Sequence, residues 1–415
     1  MGTFSMLAEH ELSYRYRGWR VVAGCFLMAM FGWGLGFYGQ AVYLAELTRL
    51  HGWPAGAIST ASTLYYLVSA VLVVFVSDAI RRFGPQPVVL TGIASLVISA
   101  TAIGCATSKA HIFAAYLVMS IGWATLTLAA ITNILGLWFR EKRGLAISLA
   151  LNGASTGGII GAPLLIWLTG LYGFRTAMVI AAGATIVVLL PVAMVWMERP
   201  PETTRGASTD SVPDTAVSLL KRRDLLVSPH FWTVAAPFCL GLLAQVGFIV
   251  HQIALLEQAL GRHGAGFAVA ITTIMAVVGR VGLGFVIDRL DQRQLTAISL
   301  VSQAVALLVM TLTASPWLLY VSCAIFGFSV GNLITLPALI IQREYDAATF
   351  GMLTALVVAI VQVAYSFGPG LLGILRDLSG SYALPLYVCM VLEIAGAIVV
   401  MLPATLNKVL REERS

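Results

Sequence analysis

Runs of about 20 apolar residues recur along the whole chain, and nothing else in the sequence restricts the fold so strongly. Charged or Gly/Pro-rich breaks separate them into twelve candidates: roughly 19–46, 56–77, 87–107, 112–138, 144–169, 175–197, 231–257, 265–288, 294–313, 316–341, 348–375 and 382–405. Each is long enough to cross a hydrocarbon core of about 30 Å as a helix. Strands of a membrane barrel would be shorter and would alternate in polarity. Composition agrees, with 59% hydrophobic and 11% charged residues and a mean hydropathy of +0.90. So few polar side chains cannot wrap a soluble core of this size. The first run is too long and too glycine-rich for a cleaved signal peptide. The expected class is an all-α membrane protein whose solvent is the lipid bilayer.

Basic residues set the expected orientation. With the N-terminus inside, 19 of the 25 Lys and Arg fall on the cytoplasmic side. Only Arg49, Lys109, Arg175, Arg262 and Arg376 fall outside, and Arg280 lies within the eighth span. This bias requires an even number of spans and puts both termini in the cytoplasm, as in a bacterial inner-membrane protein. The net charge of +6 is therefore a topology signal, and no nucleic-acid partner is expected. Cys25, Cys105, Cys239, Cys323 and Cys389 all sit in apolar runs without metal-ligand spacing, as packing residues do. No phosphate-cradling loop, nucleophile elbow or zinc-hydrolase motif is present, so neither an enzyme nor a bound cofactor is expected.

One long polar stretch, 198–229, divides the spans six and six. The expected domains are 1–197, a cytoplasmic linker 198–229, and 230–415. Within the linker, Thr215 to Leu226 reads either as a short surface helix or as mobile chain. The halves repeat. Gly36-Phe37, Gln40 and Glu46 match Gly247-Phe248, His251 and Glu257 at an offset of 211. Gly52 matches Gly264, Asp78 matches Asp288, and Gly122 falls near Gly327, at offsets of 212, 210 and 205. An ordered series at nearly constant offset is an internal repeat.

Two motifs carry a family resemblance. Gly284-Phe285-Val286-Ile287-Asp288-Arg289 with Arg293 resembles the Gly-x-x-x-Asp-Arg loop of the major facilitator superfamily. Its first-half copy is degenerate, with Asp78 followed by Arg81-Arg82. Trp138-Phe139-Arg140-Glu141-Lys142-Arg143-Gly144-Leu145-Ala146, then Asn152-Gly153, resembles the monocarboxylate transporter family and its bacterial relatives, which include oxalate/formate exchangers. Gly18-Trp19-Arg20-Val21-Val22 and Gly52-Trp53 agree loosely with the bacterial members. The acidic residue that opens the animal family's first-span signature is absent, since Arg17 precedes Gly18. The resemblance implies two pseudo-symmetric six-helix bundles, a monomeric carrier, and a substrate site where the halves meet near the membrane midplane. It also implies that Asp78, Asp288 and Arg289 hold a cytoplasmic gate.

Candidate substrate contacts follow from polar residues placed at depth. Arg280 lies about 12 Å into the membrane from Asp288. An arginine there is costly unless it faces a cavity or a counter-charge, and it cannot escape by deprotonation. The positions one helical turn away are Ala276 and Gly284, and the animal family has an Asp where Ala276 stands. A substrate carboxylate would suit the planar guanidinium fork, whereas a tie to a carbonyl or distant acid would make it structural. Tyr38 and Gln40 in span one, Asn152 in span five, and Gln245 and His251 in span seven complete the candidate set. His251 reads as a proton carrier or as a hydrogen-bonded wall residue. Glu393 reads either as facing lipid-side neighbours, because twelfth helices flank the cavity, or as a proton site. The expected function is secondary transport of small organic anions, foremost monocarboxylates, with protons as a candidate co-substrate. An exporter or antiporter of amphipathic, drug-like molecules is the alternative.

Overall fold

A computed structural model describes Glu11, Ser13 and residues 16–198, 226–286, 290–345 and 349–412. All regular secondary structure among the described residues is helical. The spans run Gly18–His51, Ala55–Phe83, Pro85–Gly104, Lys109–Trp138, Arg143–Tyr172 and Phe174–Trp196 in the first half. In the second half, spans seven and eight form one helical run, Pro229–Val286, broken at Gly261. They are followed by Gln292–Leu312, Pro316–Glu344, Phe350–Ser379 and Ala383–Glu412. Among the described residues, eleven long apolar helices thus hold twelve spans.

The break at Gly261 has a plain cause. Its φ of 67° is in the left-handed region that only glycine enters cheaply, and a single residue there reverses the chain. Gly52 and Gly380 close spans one and eleven in the same way, each donating its N–H four residues back, to Thr48 and Arg376.

Two compact units result. One comprises Met1–Trp53 and Leu64–Thr209; the other comprises Pro54–Thr63 and Asp210–Ser415. In lipid, close packing replaces the hydrophobic effect between helices, so small residues mark the crossings. In the first unit, spans one and five cross on glycine. A Cβ at Gly153 would lie 1.9 Å from the Phe26 carbonyl oxygen, and one at Gly157 would lie 2.3 Å from that of Met30. In the second unit, spans seven and eleven do the same: a Cβ at Gly368 would stand 2.2 Å from Leu243 O. Gly157 and Gly368 are 211 residues apart, the offset of the sequence repeat. Spans eight and ten interlock through Gly279, Gly327 and Gly331, whose added Cβ atoms would fall 2.1, 2.2 and 1.9 Å from backbone oxygens of the facing helix.

Polar ties close the helix ends. In the first unit, Glu11 accepts from the backbone N–H groups of Arg140 (2.9 Å) and Lys142 (3.0 Å). The Tyr16 hydroxyl donates to the Trp138 carbonyl, and Tyr16 and Trp19 both pack edge-on against Phe139. Glu11 and Tyr16 are thereby strapped across the turn between spans four and five. In the second unit, buried Arg293 grips Glu344 through Nε (2.6 Å) and Nη2 (2.7 Å). It also donates to Val400 O (2.8 Å) and to Thr233 O (3.4 Å). That last carbonyl is open because Pro237, four residues on, has no N–H to offer it. Around this tie packs a core of Phe231, Phe238, Leu300, Leu333, Leu336 and Ile340.

Candidate functional site

Span one is not a regular helix at its centre. Residues Gly34–Tyr38 form a π-helical turn, and span five has its own at Gly157–Gly161. The two π segments pack on one another: a Cβ at Gly161 would be 3.2 Å from the Cα of Gly34. A π turn widens the helix and loosens its carbonyls, which is why such turns concentrate at working positions. Tyr38 ends the span-one segment, half-buried, with its ring edge-on to Phe37 at 5.0 Å. Gln40 follows, fully buried, donating back to Gly36 O at 2.7 Å. Its Oε1 has no hydrogen-bond partner among the described residues. Asn152 is exposed, next to the tightly packed Gly153 and five residues before the span-five π turn.

Around Tyr38 stands an aromatic cluster. Trp123 meets Trp33 at 5.0 Å and stacks with Phe37 at 6.2 Å, while Tyr65 packs on Tyr66 at 4.7 Å. Glycine at 36 leaves room for it, since a Cβ there would come within 2.8 Å of the Tyr65 hydroxyl.

In the second unit, Arg280 belongs to the interlocked faces of spans eight and ten. Its backbone N would lie 3.0 Å from a Cβ at Gly331, and its neighbour Gly279 meets Phe328 O. The guanidinium thus hangs from a rigid piece of backbone, and its side chain is half-buried. Gln245 is buried and accepts from Gln303 Nε2 of span nine at 3.2 Å. His251 is buried with both ring nitrogens engaged: Nε2 meets Pro369 O at 3.1 Å, and Nδ1 meets the Tyr382 hydroxyl at 3.2 Å. To touch a substrate it would have to exchange one of these bonds.

Asp78 is exposed and pairs with Arg81 of its own helix at 2.7 Å. Asp288 and Arg289 lie outside the described residues, as does most of the linker. Tyr38, Gln40 and Asn152 therefore belong to one unit, and Arg280, Gln245 and His251 to the other.

Sequence reasoning missed three features. The π turns have no periodic signature; Gly32, Gly34, Gly36 and Gly39 in span one and Gly157, Gly158 and Gly161 in span five are their only trace. Trp33, Tyr65 and Trp123 looked like ordinary span aromatics. Gln252 ties span seven to Thr272 of span eight at 2.8 Å and to Cys323 of span ten at 3.5 Å. A buried glutamine beside His251 was the available signal for that tie.

Comparison with known proteins agrees with this architecture. The Major Facilitator Superfamily profile matches residues 22–343 and 248–414. Monocarboxylate transporter 13 of Rattus norvegicus is 27% identical over 395 residues, covering 93% of this chain and 89% of its own. The MFS-type transporter YcxA of Bacillus subtilis is 24% identical, covering 83% of this chain and 85% of its own. Among solved structures, a bacterial homolog of the human lysosomal transporter Spinster, inward-facing, superposes with a TM-score of 0.71 at 14% identity. The match covers 95% of this chain and 96% of that one. The nucleoside transporter NupG gives a TM-score of 0.73 at 12% identity, covering 92% of this chain and 99% of its own. With twelve spans, an internal repeat and a profile matched over nearly its whole length, this chain belongs to the Major Facilitator Superfamily of membrane transporters.

Proposed function

We propose that the chain carries small organic anions, foremost monocarboxylates, by alternating access, and that Arg280 binds the substrate carboxylate. The observation that carries this reading is the mounting of Arg280. Its backbone is clamped at the glycine crossing of spans eight and ten, and its side chain is half-buried. A guanidinium presented from rigid backbone offers two parallel donors that match a carboxylate. The names of relatives such as monocarboxylate transporters 13 and 11 support the substrate class. Tyr38, Gln40, Asn152 and Gln245 are proposed to contact the rest of the substrate. Asp78, Asp288 and Arg289 are proposed to act at the gate. The distribution of basic residues supports a plasma-membrane protein, inner in a bacterium, with both termini cytoplasmic.

A second reading, export of amphipathic molecules, draws on the aromatic cluster of Trp33, Phe37, Tyr66 and Trp123. A thermal-shift screen on purified protein separates the two. A ligand at about 100 times its Kd stabilises the native state by about 2.7 kcal/mol. Short monocarboxylates should raise the Tm and their amides should not. Stabilisation by cationic or neutral amphiphiles alone would favour export.

A further inference from the structure

The side chain of Glu393, in the middle of span twelve, is fully buried, and neither carboxyl oxygen has a hydrogen-bond partner among the described residues. Its surroundings follow from the residues one turn to either side on the same helix face. Gly396 lies against Pro237 of span seven, where an added Cβ would be 3.1 Å from the carbonyl oxygen. Cys389 reaches Ala244 O of the same span, at 3.8 Å. Glu393 therefore faces span seven between Pro237 and Ala244, where Gly241 also stands. Leu300 of span nine fills the same level: its two methyl carbons would lie 3.2 Å from a Cβ at Gly396 and 2.5 Å from one at Gly241. The wall is hydrocarbon and helix backbone. Gln303, one turn along span nine from Leu300, spends its amide on Gln245 and leaves Oε1 without a partner among the described residues.

A carboxyl group in such a place is tolerated when it carries a proton or is met by a cation. Among the described residues, no group of three or more metal-ligating side chains exists. Pro237, Gly241, Ala244 and Leu300 add no side-chain oxygen for a hard metal ion.

Cys389 is one turn away with its thiol on Ala244 O, and the other titratable and charged groups lie elsewhere along the packed elements. Span seven carries His230, Cys239, His251 and Glu257, and span nine carries Arg293. Span eleven carries Tyr365, Arg376 and Asp377; span twelve carries Tyr387 and Cys389, with Lys408, Arg411 and Glu412 fifteen or more residues beyond Glu393. Arg293 is held at the Val400 carbonyl, seven residues from Glu393, and is already bidentate with Glu344. His251 is held by Pro369 and Tyr382, and Arg376 contacts Asp377 at 3.2 Å.

We propose that Glu393 is a proton-binding site, and that its carboxylate takes up a proton from water on one side of the membrane and returns it to water on the other. This rests on the anion-transport reading and deepens it: one proton moving with one monoanion makes the cycle electroneutral. The balance is simple, since a carboxylate and a proton give a carboxylic acid and no other bond changes.

Two measurements test the proposal. The first is an infrared pH titration of unliganded purified protein. The wild-type minus Glu393→Gln difference spectrum should contain a carboxylic-acid carbonyl band that disappears as pH rises, over the bands that the other Asp and Glu residues give in both proteins. The second uses proteoliposomes containing a pH-sensitive dye. Glu393→Gln should exchange labelled carboxylate for unlabelled at close to the wild-type rate. It should lose accumulation driven by a pH gradient, together with the accompanying dye signal, and Glu393→Asp should retain both. Gradient-driven accumulation by Glu393→Gln equal to wild type would overturn the proposal, as would acid bands identical in the two proteins. A wild type that exchanges no carboxylate would sink the anion reading alone, because the infrared arm reports on Glu393 without any substrate.

Discussion

Replacing Arg293 tests whether the second unit is held at one end by the ion pair that the structure shows. The guanidinium side chain is 7% exposed and its partner Glu344 22%, so water screens neither well. Arg293→Ala removes both bonds to Glu344 and those to Val400 and Thr233. Removing one partner of a buried pair costs about 3–5 kcal/mol, largely because the other charge is left behind. Arg293→Lys keeps the charge but loses the planar fork, so about 1.5–3 kcal/mol should go. Arg293→Met combined with Glu344→Leu removes both charges and should recover most of the Arg293→Ala loss. Arg343 is the control: it is 57% exposed and 3.9 Å from Asp291, and its removal should cost under about 1 kcal/mol. The assay is reversible unfolding in mixed detergent micelles, followed by tryptophan fluorescence. If Arg293→Ala unfolds within about 1 kcal/mol of wild type, or no differently from Arg343→Ala, the reasoning fails.

Three further outcomes follow from the same geometry. Gly153→Ala should give little folded protein by size-exclusion chromatography, because its Cβ would sit 1.9 Å from Phe26 O, whereas Gly183→Ala meets nothing within 4 Å and should raise the Tm. Asp377→Ala should lower stability by about 1 kcal/mol in a thermal melt, since its carboxylate accepts from the Ala55 and Gly56 N–H groups at 3.2 and 2.7 Å; Asp377→Asn should lose less. Burial, then the nearby Glu11, pushes Tyr16 up to about 12, and burial, then Glu344, does the same to Tyr345. A raised folded-state value gives stability present below the ordinary tyrosine pKa of about 10 and lost as pH climbs through the folded value. Tyr16→Phe with Tyr345→Phe should therefore flatten the decline in stability above that pH, and an unchanged slope would count against it.

Span number, span limits and the two-fold repeat were legible because bilayer thickness and the apolar run are the same length measured two ways. The reversal between spans seven and eight was legible too, since Gly261 and Gly264 interrupt a run that would otherwise continue. The π turns at Gly34–Tyr38 and Gly157–Gly161 were not. One extra residue per turn leaves no pattern in a helix that is apolar on every side. Arg280 stood out as a charge at depth, but its clamping by Gly279 and Gly331 needed the facing helix. His251 shows the same limit: its isolation in sequence hides two partners, Pro369 and Tyr382, more than a hundred residues away. Glu393 was expected on a flanking helix, facing lipid-side neighbours or taking a proton. Its complete burial depends on small residues at 237, 241, 244 and 396 that no single span reveals.

Counterflow of a labelled short monocarboxylate into proteoliposomes, with wild type beside Arg280→Ala and Arg280→Lys, tests the anion carrier most directly. Wild type should take up label against excess internal carboxylate. Loss of one charge-assisted hydrogen bond, about 1.5–3 kcal/mol, should weaken apparent affinity about ten- to a hundred-fold. Arg280→Ala should therefore be silent at wild-type working concentrations, and Arg280→Lys should fail or change its preference among acids, because a point charge does not replace the fork. Wild-type counterflow by well-folded Arg280→Ala would contradict the account.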